Sequence, residues 1–146
     1  MTAVKLVSDI LQEKGSEVFR IDVAASVYEA IEKMVEANVG ALLVAEGDQI
    51  AGIFTERDYL RRVAVKGRVE KETTVRDVMS FPVICVTRET SIEECMALMS
   101  EHRIRHAPVV NGGALVGIIS IGDLVEFRTR QQSFQIKYLN EYITAR

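Results

Sequence analysis

Two cysteines are too few, and wrongly placed, for the disulfide framework that holds small secreted folds together. Cys85 and Cys95 both lie in apolar-patterned segments, and neither has a histidine or second cysteine at metal-ligand spacing. Both thiols are therefore expected to be buried and unpaired, as packing residues in a reducing compartment. Long apolar runs are also missing: none approaches the roughly 18 residues of a membrane span. Met1 to Leu11 has no apolar core behind basic residues, so no signal peptide is expected and the chain reads as soluble and cytoplasmic. An excess of positive charge is absent too. With 18 Lys and Arg against 21 Asp and Glu the net charge is −3, which argues against nucleic-acid binding through a basic surface.

What is present is a core-forming chain. Of 146 residues 48% are hydrophobic and 27% charged, ordinary for a globular protein. A chain of this length buries about 68–70% of its unfolded surface, enough for one domain or two small halves without staples.

The strongest feature is an internal duplication. Ser26 to Leu60 aligns without a gap onto Ser91 to Val125. Nine pairs are identical: serines 26 and 91, glutamates 29 and 94, methionines 34 and 99, glutamates 36 and 101, valines 44 and 109, glycines 47 and 112, glycines 52 and 117, isoleucines 53 and 118, and aspartates 58 and 123. Each copy reads as strand, helix, two strands and helix. Val18–Ile21 and Val83–Val86 are the first strands. Ser26 with Glu29, and Ser91 with Glu94, have capping-box spacing ahead of a helix. Val27, Ala30, Ile31, Met34 and Val35 follow as one apolar stripe. Ala41–Ala45 and Ile50–Phe54 form a hairpin across a glycine turn, as do 106–110 and 115–119. Asp9-Ile10-Leu11 corresponds to Asp77-Val78-Met79 as a lead-in. The expected boundaries are 1–66 for the first repeat, 67–73 for a charged linker, 74–127 for the second repeat and 128–146 for a C-terminal helical extension.

Three strands and two helices cover a sheet poorly alone. An α+β fold is expected, two β-α-β-β-α repeats packed sheet to sheet with pseudo-two-fold symmetry, leaving two paired clefts suited to small ligands. A long C-terminal helix carries Phe127, Gln131, Phe134, Tyr138 and Tyr142 at steps of three or four. It either packs on its own domain or forms a homodimer contact.

Each repeat closes on glycine, two apolar residues, a hydroxyl residue and an aspartate three positions later. These are Thr55-Glu56-Arg57-Asp58 and Ser120-Ile121-Gly122-Asp123. Two readings fit the residues alone. In one, Thr55 and Ser120 are N-caps and Asp58 and Asp123 fill the third helical position, a purely structural capping box. In the other, the helix N-terminus and hydroxyl take a phosphate while the carboxylate takes a ribose diol. Gly52 and Gly117 then let the backbone approach closely. Arg57 and Arg105 could each bind phosphate, as could His106 at the strand entry; for Arg105 and His106 the alternative is a solvated strand edge. Pro108 cannot donate to a ladder and marks an edge or an irregular strand start. Leu43 takes its place in the first copy, and Asn38-Val39-Gly40 replaces Arg103-Ile104-Arg105, so the two sites differ in charge.

These residues resemble a known family. Val75-Arg76-Asp77-Val78-Met79, Ile104-Arg105-His106-Ala107-Pro108-Val109-Val110 and the doubled Gly-apolar-apolar-Ser/Thr-x-x-Asp motif look like a tandem pair of cystathionine-β-synthase-type (CBS) domains, a Bateman module. The resemblance covers nearly the whole chain and is closest to small stand-alone members. It implies an adenosine-containing ligand (AMP, ADP, ATP, NAD(H) or S-adenosylmethionine) between the repeats. Asp58 and Asp123 would take ribose hydroxyls, and Thr55 and Ser120 the phosphate. Segments near Asp22 and Thr87, and the strand entries at Gly40-Ala41 and His106-Ala107-Pro108, would hold the adenine. It also implies a flat homodimer and regulation of a partner protein that the sequence does not identify.

The functional expectation is a nucleotide-sensing regulatory module without catalysis, catalytic cofactor or metal. An interaction protein working through its C-terminal helix is the alternative. A nucleotide hydrolase using Glu56 is a remote third, because no second acidic cluster is visible to hold a metal.

Overall fold

The computed structural model describes residues 4–15 and 17–131. It is an α+β fold, with two three-stranded sheets and six α-helices among the described residues. In chain order the elements are α1 (Val7–Lys14), β1 (Arg20–Asp22), α2 (Val27–Ala37), β2 (Ala41–Glu46), β3 (Gln49–Thr55), α3 (Glu56–Tyr59), α4 (Val75–Val78), β4 (Val86–Thr87), α5 (Ile92–His102), β5 (His106–Asn111), β6 (Ala114–Ser120) and α6 (Ile121–Gln131). No described helix is long and apolar enough to cross a membrane.

The chain divides into two compact units, residues 17–84 and residues 1–16 with 85–146. These units do not follow the repeat boundaries read from the sequence. The lead-in before each repeat completes the core of the other. Val75, Val78 and Met79 pack with Val27, Leu42, Val44 and Phe54, whereas Val7, Ile10 and Leu11 pack with Ile92, Cys95, Val109 and Ile119. Val7, Val75 and Val78 are fully buried, and burial of such a side chain contributes about 1.5–3 kcal/mol. Backbone bonds fasten each lead-in: Val75 N–H donates to Ala25 O at 2.9 Å, and Val7 N–H to Thr90 O at 2.8 Å.

Within each unit the sheet has the same plan. β1 lies parallel to β2, which is antiparallel to β3; β4, β5 and β6 repeat this. The hairpins turn through Gly47 at φ 63° and through Gly112 and Gly113 at φ 59° and 85°. That left-handed backbone is open to glycine without a Cβ clash. Each capping serine hydroxyl accepts an N–H, from Glu29 at 3.1 Å and from Glu94 at 3.0 Å; Glu94 completes the box by accepting Ser91 N–H at 3.3 Å, whereas Glu29 Oε1 accepts the Ser26 hydroxyl at 3.4 Å instead. One stripe residue differs: Val35 is 73% exposed, and Val27, Ala30 and Met34 carry the buried face of α2.

Three further expectations are corrected. Cys95 is buried, but Cys85 is exposed. Its repeat counterpart is the exposed Arg20, so it has the strand parity of a solvent-facing position. The second correction explains why no strand forms there. Leu43 N–H donates to Phe19 O at 3.0 Å, a bond that its counterpart Pro108 cannot make. β4 accordingly pairs only Val86 with Val109 and Thr87 with Val110. The helix expected to close the first repeat is α3 followed by a wider π-turn, Leu60–Ala64, which buries Val63.

Phe127, first of the aromatic stripe, is buried in the core of its own unit. Phe134, Tyr138, Tyr142 and most of the 128–146 extension lie outside the described residues, as does the dimer contact expected of them.

Candidate functional site

The two hydroxyl–aspartate motifs sit where the last strand of each sheet becomes a helix. In both, the hydroxyl residue caps the helix and the aspartate returns the bond. Thr55 Oγ1 accepts from Asp58 N–H at 3.1 Å, and Asp58 Oδ2 accepts from Thr55 N–H at 3.0 Å. Ser120 Oγ accepts from Asp123 N–H at 3.0 Å, and Asp123 Oδ2 accepts from Ser120 N–H at 2.8 Å. The capping box is thus present in each copy.

Strand register brings the expected strand entries to these motifs. Ala41 lies opposite Thr55, and His106 opposite Ser120. Glu56 N–H, at the start of α3, donates to Gly40 O at 3.1 Å; Ile121 N–H, at the start of α6, donates to Arg105 O at 2.8 Å. Gly40, Ala41, Thr55, Arg57 and Asp58 therefore gather at one end of the first sheet, and Arg105, His106, Ser120, Ile121 and Asp123 at one end of the second. Ala107 and Pro108 are adjacent but buried, and Ala107 belongs to the core. Asp22 and Thr87 are not brought to their own unit's motif. Asp22 is level with Ala45 and Thr87 with Val110, near the opposite ends of β2 and β5. At about 3.3 Å per residue, four residues separate them from the motif end by roughly 13 Å. Asp22 instead closes a turn by accepting Ala24 N–H at 2.8 Å.

The motif glycines have a structural cause. A Cβ on Gly52 would lie 2.6 Å from Ser80 O and 2.8 Å from Met79 Sδ, and one on Gly117 would lie 2.8 Å from Leu11 Cδ2. Close approach of the lead-in segments requires a residue without a Cβ at both positions.

Beneath their shared capping geometry the two carboxylates differ. Asp58 is 6% exposed. Its Oδ2 also accepts the Thr55 hydroxyl at 3.1 Å, and its Oδ1 accepts the Ser80 hydroxyl at 2.7 Å. The Asp123 side chain is 21% exposed and its Oδ2 is 2.7 Å from Lys14 Nζ. Lys14 also donates to Ile118 O at 2.9 Å. Neither Ser80 nor Lys14 is visible to a comparison of the two repeats, because both lie in the lead-ins rather than in the duplicated segment. The only signal was a polar residue soon after the matched Leu11 and Met79.

An apolar cavity of about 520 Å³ was also missed. It lies between the end of α2 and α3, lined by Ile31, Val35, Val39, Tyr59 and Leu60, with Glu56 at its margin. Tyr59 turns its hydroxyl away to Glu70 Oε1 at 2.8 Å. That bond, with some burial and the Glu70 charge, raises the Tyr59 phenol above its usual range.

Comparison with known proteins gives a consistent result. The CBS domain family model matches residues 7–65 and 75–130. A mitochondrial CBS domain-containing protein of Arabidopsis thaliana, CBSX3, is 40% identical, the match covering 94% of this chain and 71% of that protein. A solved CBS-domain protein of Burkholderia ambifaria superimposes with a TM-score of 0.85 at 47% identity, over 88% of this chain and 96% of its own. A hexameric CBS-CP12 protein from bloom-forming cyanobacteria gives a TM-score of 0.77 at 33% identity, over 86% and 72%.

Proposed function

The chain belongs to the CBS-domain family, and from that premise we propose that it is a nucleotide-sensing regulatory module. CBS-domain pairs are generally ligand-binding and regulatory rather than catalytic. The ligand proposed here is an adenosine nucleotide (AMP, ATP or NAD(H)), which the chain binds without turning it over. Ser120, Ile121 and Asp123 with Arg105, His106 and the backbone of Ala107 and Pro108 form the preferred site. Thr55, Arg57, Asp58, Gly40 and Ala41 are the corresponding positions of the first repeat and a weaker candidate, because the Ser80 hydroxyl already occupies Asp58 Oδ1. Asp22 and Thr87 are retained only as outlying contacts.

One observation carries this reading. Register places Arg105 and His106 beside Ser120 and Asp123, so a cationic strand entry, a hydroxyl, a helix N-terminus and an accessible carboxylate share one sheet end. A phosphate suits the first three and a vicinal diol the fourth. We further propose that the chain acts as a homodimer in the cytoplasm on a partner protein.

Isothermal titration of the full chain with AMP, ATP and NADH tests the reading. Binding of at least one is expected, weakened about tenfold or more by Asp123→Ala. Heat from none of the three, or an Asp123→Ala variant with unchanged affinity, overturns it.

A further inference from the structure

The two motifs are supplied with different partners from outside the repeats, and the difference decides what each can bind. Lys14 closes α1 and belongs to the same compact unit as Asp123. Its ammonium has three donors. One reaches Asp123 Oδ2 at 2.7 Å and one the Ile118 carbonyl at 2.9 Å. The third meets no acceptor among the described residues. Asp123 Oδ1 likewise accepts no hydrogen bond among them, and the Ser120 hydroxyl accepts Asp123 N–H while its own hydrogen has no acceptor there. The second motif therefore offers a spare carboxylate oxygen, a spare hydroxyl hydrogen and a spare ammonium hydrogen around an ion pair with no net charge.

The first motif offers none of the three. Thr55 spends its hydroxyl hydrogen on Asp58 Oδ2, and Ser80 places its hydroxyl on Asp58 Oδ1 much as a ribose hydroxyl would. Ser80 cannot easily swing away, because its amide donates to Ile53 O at 2.8 Å and its carbonyl accepts Ile53 N–H at 3.0 Å. The Asp58 carboxylate stays buried, at 6% exposure. A phosphate brought beside it meets like-charge repulsion in a poorly solvated place.

We propose that Lys14 is a specificity-determining ligand residue of the Ser120–Asp123 motif, selecting an anionic nucleotide over the uncharged nucleoside, while Ser80 closes the Asp58 motif to ligand. The proposal rests on the nucleotide reading above and adds to it a residue outside both repeats, a charge preference and a stoichiometry. Lys14 neutralises Asp123, so the carboxylate receives the diol without repelling the phosphate, and its remaining hydrogen is directed to a phosphate oxygen.

The test is isothermal titration of the full chain with AMP and, separately, adenosine, for the native protein, Lys14→Met and Lys14→Arg. Melting temperatures of all three establish that the variants are folded. One AMP per chain is expected. Lys14→Met should weaken AMP at least tenfold and adenosine less than about threefold, and Lys14→Arg should keep AMP within about threefold. Equal losses for AMP and adenosine reduce Lys14 to a support for Asp123 and overturn the proposal, as does unchanged AMP affinity in Lys14→Met. Two equivalent AMP sites per native chain overturn the closure by Ser80. Native protein that binds neither compound removes the nucleotide reading itself, an outcome distinct from a failure confined to the Lys14 variants.

Discussion

Gly52 faces Ser80 so closely that a Cβ on the glycine would lie 2.6 Å from the serine carbonyl oxygen. That oxygen is fixed, since it accepts Ile53 N–H at 3.0 Å. The atoms nearest a Cβ on Gly117 belong to the Leu11 side chain, the closest at 2.8 Å, and a leucine terminus can turn aside. Gly52→Ala should therefore destabilise the fold by about 2–3 kcal/mol and Gly117→Ala by about 1 kcal/mol in urea titration. Adding Leu11→Ala to Gly117→Ala should show coupling, with the pair losing less than the sum of the single changes. Equal losses at the two glycines contradict the assignment of a backbone clash to one and a side-chain clash to the other.

The two aspartates should separate in stability as well as in binding. Asp58→Ala leaves the half-buried Ser80 hydroxyl and the Thr55 N–H without their acceptor, and each such orphan costs about 1–3 kcal/mol. A total near 3 kcal/mol is expected. Asp123→Ala removes a cap and a partly exposed ion pair, together about 1–1.5 kcal/mol. Only the Asp123 loss should shrink at 1 M salt, where the Lys14 pair is screened. Urea midpoints for both variants at low and high salt measure this.

The family and the repeat were legible because duplication leaves the same hydroxyl, aspartate and glycine at one offset, a pattern chance does not produce. Helix starts at Ser26 and Ser91 were legible because a cap is a local device. What escaped notice depends on segments far apart in sequence. Ser80 and Lys14 reach the motifs only because each lead-in packs with the other repeat, and no periodicity encodes that exchange. Cys85 was misread as buried through its apolar neighbours; alignment with Arg20 carried the correct parity. The packing need for Gly52 and Gly117 was illegible for the same reason, since the atoms they avoid belong to Met79, Ser80 and Leu11.

The helices α2 and α5 both end on a left-handed residue, Asn38 and Arg103, each at φ 54°. Asparagine tolerates that conformation, whereas for arginine it costs roughly 1 kcal/mol relative to glycine. Arg103→Gly is expected to stabilise the protein by about 0.5–1 kcal/mol, and Asn38→Ala to destabilise it by about 1 kcal/mol, in thermal or urea unfolding. A destabilised Arg103→Gly variant means that contacts of the arginine side chain outweigh its backbone strain.

The two thiols should behave as different chemical species. Burial pushes Cys95 up to about 11 from an ordinary value of 9.0, while Cys85 is more exposed and is also raised by burial. Near pH 8 the buried thiol has about 100-fold less thiolate than an ordinary one, before its inaccessibility is counted. A disulfide reagent such as DTNB should therefore label one cysteine of the native chain first, and the second only on unfolding. The same shift has a consequence for stability. Below about pH 9 both folded and unfolded chains keep the Cys95 proton, so folding is unaffected. Between about 9 and 11 the unfolded chain releases it first, which draws the equilibrium towards unfolding. Over that window the loss attributable to Cys95 approaches about 2–3 kcal/mol. Subtracting the urea stability of Cys95→Ala from that of the native protein at each pH isolates it from the lysines and tyrosines that titrate nearby. A difference that stays flat from pH 8 to 11 places the sulfur in contact with water.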